Sequence, residues 1–232
     1  MLTSIIEVFQ KYGSMFGTGG IITVCLSIAT VLFSVLFGSL FAFMKISKSR
    51  ILKGISTVYV EFIRGTPLLV QVYMVFYGLP LLGVEFPSVT IMGTSFDRMF
   101  SGALALIINS TAYICEIVRG GILSIDGGQT EASRSIGFNK LQTMLFIVFP
   151  QAFKNILPAL ANEFVSVIKN SSQVSVIGLA ELMYVTNTVR SISFRQFEPL
   201  IIVSVIYFIL TSIISAVVRK MEKKLAVSNR RS

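Results

Sequence analysis

Read for runs of apolar residues, the chain alternates five long hydrophobic stretches with short polar connections. The stretches fall at 21–44, 56–82, 99–121, 156–177 and 199–218. At 1.5 Å per helical residue, each is long enough to cross about 30 Å of hydrocarbon. The pattern predicts an all-α membrane protein with five transmembrane helices, one unit over 1–232 with an N-terminal extracytoplasmic segment at 1–20. The first stretch is too long, and too far from the start, for a cleaved signal peptide. Glu7 and a single upstream Lys do not make the basic segment such a peptide needs. It is expected to stay in the mature protein.

One connection departs from its surroundings. Residues 122–155 carry Gly, Gln, Asn and charges between the third and fourth stretches. Asp126 is placed to cap a short helix that Gly137 would end, and Asn139 with Gln142 three residues on forms a capping-box start for a second. The segment therefore reads as helix, sharp turn, helix. No period of 20 to 50 residues and no low-complexity segment interrupts the pattern.

Charge orients these elements. Lys45, Lys48, Arg50 and Lys53 follow the first stretch, Arg119, Arg134, Lys140 and Lys154 lie around the 122–155 segment, and Arg219, Lys220, Lys223, Lys224, Arg230 and Arg231 follow the fifth. The opposite side holds Lys11, Arg98, Arg190 and Arg195. The positive-inside rule then puts the N-terminus outside and the C-terminus in the cytoplasm, as an odd number of crossings requires. The C-terminal basic run is placed to meet anionic lipid.

Composition narrows the chemistry. The chain is 53% hydrophobic and 13% charged, about half the charged share of a soluble domain. It has no His for a zinc site or a Ser/His/Asp triad, and no Gly-Lys dipeptide for a phosphate-binding loop. Any ATP must be bound by another chain. Cys25 and Cys115 lie inside apolar runs, where thiols behave as small hydrophobes. The net charge of +9 flanks hydrophobic segments instead of forming a stripe with interleaved aromatics, which points to lipid head groups and not to nucleic acid.

Polar residues inside the stretches mark candidate chemistry. Asn162, Glu163, Ser166, Asn170 and Gln173 recur at three or four residues and share one helical face. Glu163 lies about 4.5 Å from the centre of its stretch, where a charge costs at least ~2.5 kcal/mol. Either it meets the amino group or cationic side chain of a bound ligand, or it forms an internal ion pair with Lys169 or Arg64. In the second stretch Pro67 removes a backbone donor and should break the helix near mid-depth. The freed carbonyls would face a cavity, since lipid cannot satisfy them, so Thr66, Pro67 and Leu68 join the candidate ligand positions. The alternative is a packing kink with Arg64 paired to Glu61. Glu116 and Arg119, three apart, read as an interfacial pair.

Glu131-Ala132-Ser133, with Gly137 six residues after the Glu and Ile147-Val148-Phe149-Pro150 beyond, resembles the EAA signature of ATP-binding cassette importer permeases. It departs from that pattern at Ser133 and Phe149, both mild replacements. The resemblance to the polar amino acid uptake group of these permeases covers nearly the whole chain. It extends through Glu61-Phe62-Ile63-Arg64-Gly65-Thr66-Pro67-Leu68-Leu69, Glu116-Ile117-Val118-Arg119-Gly120-Gly121-Ile122 and Pro158-Ala159-Leu160-Ala161-Asn162-Glu163-Phe164.

This resemblance implies a permease subunit of the bacterial cytoplasmic (inner) membrane that is not itself an enzyme and carries no cofactor. It implies a second permease subunit, identical or homologous, an ATPase subunit that binds ATP and magnesium, and an extracytoplasmic binding protein that delivers an amino acid. In such a permease Glu131, Ala132, Ser133, Arg134, Ser135 and Gly137 would couple to the ATPase. The expected activity is ATP-driven import of a polar or charged L-amino acid by alternating access. A proton-coupled carrier using Glu163, or a membrane scaffold docking a partner through the loop, are the competing classes.

Overall fold

A computed structural model describes residues 1–229 of the chain, with side chains as far as Lys220. The first helix, α1 (Leu2–Ile46), runs 45 residues without a proline. That is about 67 Å at 1.5 Å per residue, roughly twice what a crossing needs. Residues 1–20 thus form the first turns of α1, continuous with the first span. Ile5, Val8, Tyr12, Met15 and Phe16 repeat at helical spacing and pack against Leu182, Val185, Val189, Ile202 and Val203. Hydropathy alone missed this stripe because Glu7, Gln10 and Lys11 dilute it.

The second stretch is two helices, α2 (Arg50–Gly65) and α3 (Leu68–Leu81), bent by 109° at Thr66-Pro67. Ser56 of α2 lies beside Cys115, and Phe76 and Pro80 of α3 share a cleft with Asp97 and Ser101. The broken pair therefore passes from opposite one end of α4 (Phe96–Leu123) to opposite the other. Among the described residues four helices are long and apolar enough to cross a membrane, and this pair makes a fifth when counted as one span. A two-stranded hairpin, β1 (Thr90–Ile91) and β2 (Thr94–Ser95), leads into α4.

Helix α4 is the centre of the bundle. It runs parallel to α1, with Ser34 Oγ donating to Ile107 O at 3.1 Å and Lys45 meeting Glu116 farther along. Gly38 allows this approach: a Cβ there would stand 2.8 Å from Ile114 Cγ2 and 3.0 Å from Thr111 O. The core around α4 divides into one cluster with Val60, Ile63, Ile114 and Ile156 and another with Leu68, Val72, Leu106 and Leu179.

After α4 come α5 (Gly127–Ser135), α6 (Lys140–Gln142), a π-helical turn (Thr143–Val148), α7 (Phe149–Asn170) and a 3-10 segment (Ser171–Ile177). From Lys140 to Ile177 the helix is continuous over 38 residues. The second helix of the 122–155 segment is therefore the foot of the fourth span. The helix widens to π just where Pro150 withdraws a backbone donor. Helices α8 (Leu182–Ser193) and α9 (Glu198–Asn229) complete the fold. Arg230 and Arg231 of the C-terminal basic run lie outside the described residues, as do the side chains of Lys223 and Lys224.

Candidate functional site

The polar face of α7 is real, and its carboxylate has a neutral partner. Glu163 is half-buried, and its Oε1 accepts from Ser110 Oγ of α4 at 2.9 Å. Ion pairs among the described residues include Lys45–Glu116, Arg119–Glu116 and Arg195–Glu7. Neither Lys169 nor Arg64 pairs with Glu163, and Arg64 does not pair with Glu61. The Arg64 guanidinium instead lies over the Tyr113 ring, 5.5 Å from its centroid. Tyr113 follows Ser110 by three residues on α4, so a cation and a carboxylate are held along one side of that helix.

Around Glu163, Asn162 is exposed, and Ser166 Oγ donates back to Asn162 O at 3.2 Å. Asn170 ends α7 and Gln173 sits on the 3-10 segment. Residues i and i+3 eclipse in a 3-10 helix, so Gln173 stays in line with Asn170 despite the change of helix.

At the break in the second span the freed carbonyls do not open onto a cavity, as the sequence suggested. Gln71 Nε2, with two N–H groups to share, lies 2.8 Å from Ile63 O, 3.1 Å from Thr66 O and 2.9 Å from Thr66 Oγ1. Asn109 Nδ2 in turn donates to Gln71 Oε1 at 3.0 Å. Leu68, expected among the ligand positions, turns its side chain into the core beside Val72 and Leu106. What remains open is backbone, because α3 begins after Pro67 with no side-chain cap.

Sequence reading missed Gln71, Asn109 and Ser110, and also Glu181. That last carboxylate is fully buried. It accepts from Met183 N at 2.9 Å, Tyr184 N at 2.7 Å and the Tyr207 hydroxyl at 3.0 Å. Thr23 Oγ1 accepts from the neighbouring Leu182 N at 3.2 Å, so the cluster ties α1, α8 and α9 together. Only the first of these had a readable signal, since Gln71 follows Pro67 by one helical turn.

The loop after α4 forms the second candidate region. Asp126 Oδ1 caps α5 by accepting from Gly128 N at 2.7 Å. The helix ends in a Schellman arrangement, with Phe138 N donating to Ser133 O, Gly137 N to Arg134 O, and Gly137 at φ +96°. Asn139 and Gln142 exchange both bonds of a capping box at 2.9 Å. Glu131, Ala132, Arg134 and Ser135 are exposed. Ser133, placed with them by the sequence, turns inward: its Oγ donates to Thr130 O and shares a hydrogen bond with Thr143 Oγ1, both at 2.9 Å, fixing α5 against the π turn. Ile136, Leu141 and Phe146 leave apolar surface uncovered beside α5. A cleft of about 440 Å³ between α5 and the π turn is lined by Arg134, Lys140 and Met144.

At the same end of the bundle, Glu116 joins Arg119 at 2.8 Å and Lys45 of α1 at 2.6 Å, so the pair read from sequence is a three-residue bridge. No group of three or more His, Cys, Asp or Glu among the described residues is placed to hold a metal ion.

Residues 34–227 match the family described as binding-protein-dependent transport system inner membrane component. The chain is 37% identical over 215 residues to the probable glutamine ABC transporter permease protein GlnM of Bacillus subtilis, covering 93% of this chain and 95% of that one. It is 35% identical over 204 residues to the arginine transport system permease protein ArtQ of the same organism, covering 88% and 89%. The crystal structure of an amino acid ABC transporter with histidines superposes with a TM-score of 0.85 at 41% identity, over 93% of this chain and 96% of that one. The chain therefore belongs to the binding-protein-dependent transport system inner membrane component family, as a permease subunit of an amino acid ABC transporter.

Proposed function

We propose that this permease carries a polar or charged L-amino acid across a bacterial inner membrane by alternating access. In this reading 1–232 is one transmembrane permease unit that pairs with a second, identical or homologous. A separate ATPase subunit binds ATP and magnesium, and an extracytoplasmic binding protein delivers the amino acid. The observation that carries the substrate reading is Glu163, a half-buried carboxylate bonded to Ser110 and paired with neither Lys169 nor Arg64. A membrane-embedded carboxylate held this way suits the amino group or cationic side chain of an amino acid. Asn162, Ser166, Asn170 and Gln173 continue the polar face. The uncapped start of α3, where Thr66 and Pro67 lead into Leu68, offers the N–H groups of Leu68 and Leu69 and a helix dipole to the substrate carboxylate.

Coupling is assigned to the exposed side of α5. Glu131, Ala132, Arg134 and Ser135 face outward, and Ser133 and Gly137 hold that helix in place. A short helix fixed at both ends can pass the ATPase's closure to the fourth span, which starts directly at Lys140. The switch between two packings needs contacts that differ between states, and this loop supplies them.

Glu163→Gln tests the substrate site in the assembled importer. The variant keeps shape and an acceptor oxygen while deleting charge. Binding of a cationic amino acid should weaken by roughly 1–3 kcal/mol, with the melting temperature almost unchanged. Earlier melting with normal binding per folded complex would make Glu163 structural.

Orientation, with the N-terminus outside and the C-terminus cytoplasmic, rests on the charge asymmetry and has its own test. With Cys25 and Cys115 replaced, single cysteines at Ser88 and at exposed Ser135 should react with an impermeant thiol reagent from opposite faces. Labelling of both from outside refutes the arrangement.

A further inference from the structure

We propose that Gln71, anchored by Asn109, is a positioning residue that holds the second span broken and so sets the distance between the start of α3 and Glu163. The proposal rests on the substrate reading above.

In an uninterrupted helix the N–H of residue 67 would donate to Ile63 O, and Pro67 has no N–H to give. Ile63 is buried, and its carbonyl has no access to water, so another donor must be found. Gln71 supplies it from one turn inside α3, at 2.8 Å. In a straight helix residues 63 and 71 are eight positions, or about 12 Å, apart along the axis. The Gln71–Ile63 bond therefore exists only while the chain is bent. The same amide group also meets Thr66 O and Thr66 Oγ1, gathering both sides of the break onto one side chain.

Gln71 itself is nearly inaccessible, at 4% exposure, and Asn109 holds its carbonyl oxygen at 3.0 Å. Asn109 immediately precedes Ser110, which binds Glu163. Two consecutive residues of α4 thus fix the two parts of the proposed substrate site, one through Gln71 and one directly. Loss of the Gln71 link frees the bend angle, and among the groups proposed to contact substrate it releases only Thr66. Its consequence is a change in affinity, and packing alone would instead change the amount of folded protein.

The importer is reconstituted with its ATPase and binding protein, and uptake is measured as KM and Vmax per folded complex alongside the melting temperature. Gln71→Leu should raise KM by about tenfold and Asn109→Ala by about threefold, the scale of one or two lost buried hydrogen bonds. Adding Pro67→Ala to Gln71→Leu returns an N–H to Ile63 O. That double variant should regain melting temperature while KM stays high, because the helix can now straighten. Should Gln71→Leu not assemble, Asn109→Ala decides the question. A KM unchanged in Gln71→Leu and Asn109→Ala, with only Vmax falling, overturns the positioning role and leaves the substrate reading standing. A raised KM in both, with Glu163→Gln silent, removes Glu163 from the site and overturns the proposed α3–Glu163 spacing, leaving Gln71 to position the start of α3 alone.

Discussion

Replacing Glu181 by alanine is expected to destabilise the permease by roughly 3–5 kcal/mol, the sum of a lost helix cap and buried donors left without acceptors. Met183 N, Tyr184 N and the Tyr207 hydroxyl all lose their acceptor at once. The site is fully buried, so water does not replace it. At about 2–4 °C per kcal/mol for a chain of this size, the purified complex should melt on the order of 10 °C earlier. Glu181→Gln retains one acceptor oxygen and should fall between parent and alanine variant. An alanine variant melting within a degree or two of the parent would show that α1, α8 and α9 are held together without this carboxylate.

For Gly137→Val the expected loss is in coupling. Gly137 has φ +96°, and nothing stands within 4 Å of where its Cβ would be, so crowding plays no part. The penalty is backbone strain, roughly 1–3 kcal/mol for a residue forced into such a conformation, and a β-branched side chain resists it most. Relief of that strain unwinds the Schellman arrangement that ends α5 and shifts Glu131 and Arg134. Uptake should fall about ten- to a hundredfold, the factor those energies correspond to, with weaker retention of the ATPase and an unchanged melting temperature of the spans. Normal uptake and normal co-purification of the ATPase would remove the strained turn from the coupling mechanism.

The loop was legible in advance because its stabilising bonds are local. Asp126 with Gly128, Asn139 with Gln142, and Gly137 with Arg134 all lie within three residues of each other. Such short-range patterns carry their geometry in the residue types alone. Pro67 was legible for the same reason, since a missing N–H breaks a helix whatever surrounds it. The inward turn of Ser133 was not, because it depends on Thr143 ten residues away across the reversal.

The five apolar stretches, the break at Pro67, the cap-turn-cap loop and the polar face from Asn162 to Gln173 were fixed by the sequence itself. Each follows from hydrophobic length, helical period or the chemistry of adjacent residues. The tertiary structure decided who answers each polar group. Ser110 meets Glu163 from 53 positions away, Asn109 meets Gln71 from 38, and Tyr207 meets Glu181 from 26. It also decided that residues 1–20 are helix, since their apolar stripe is stable only against α8 and α9. A buried polar group must be paired inside a membrane, but the pairing demand fixes only that a partner exists. Which residue fills it depends on how helices distant in sequence come to lie side by side.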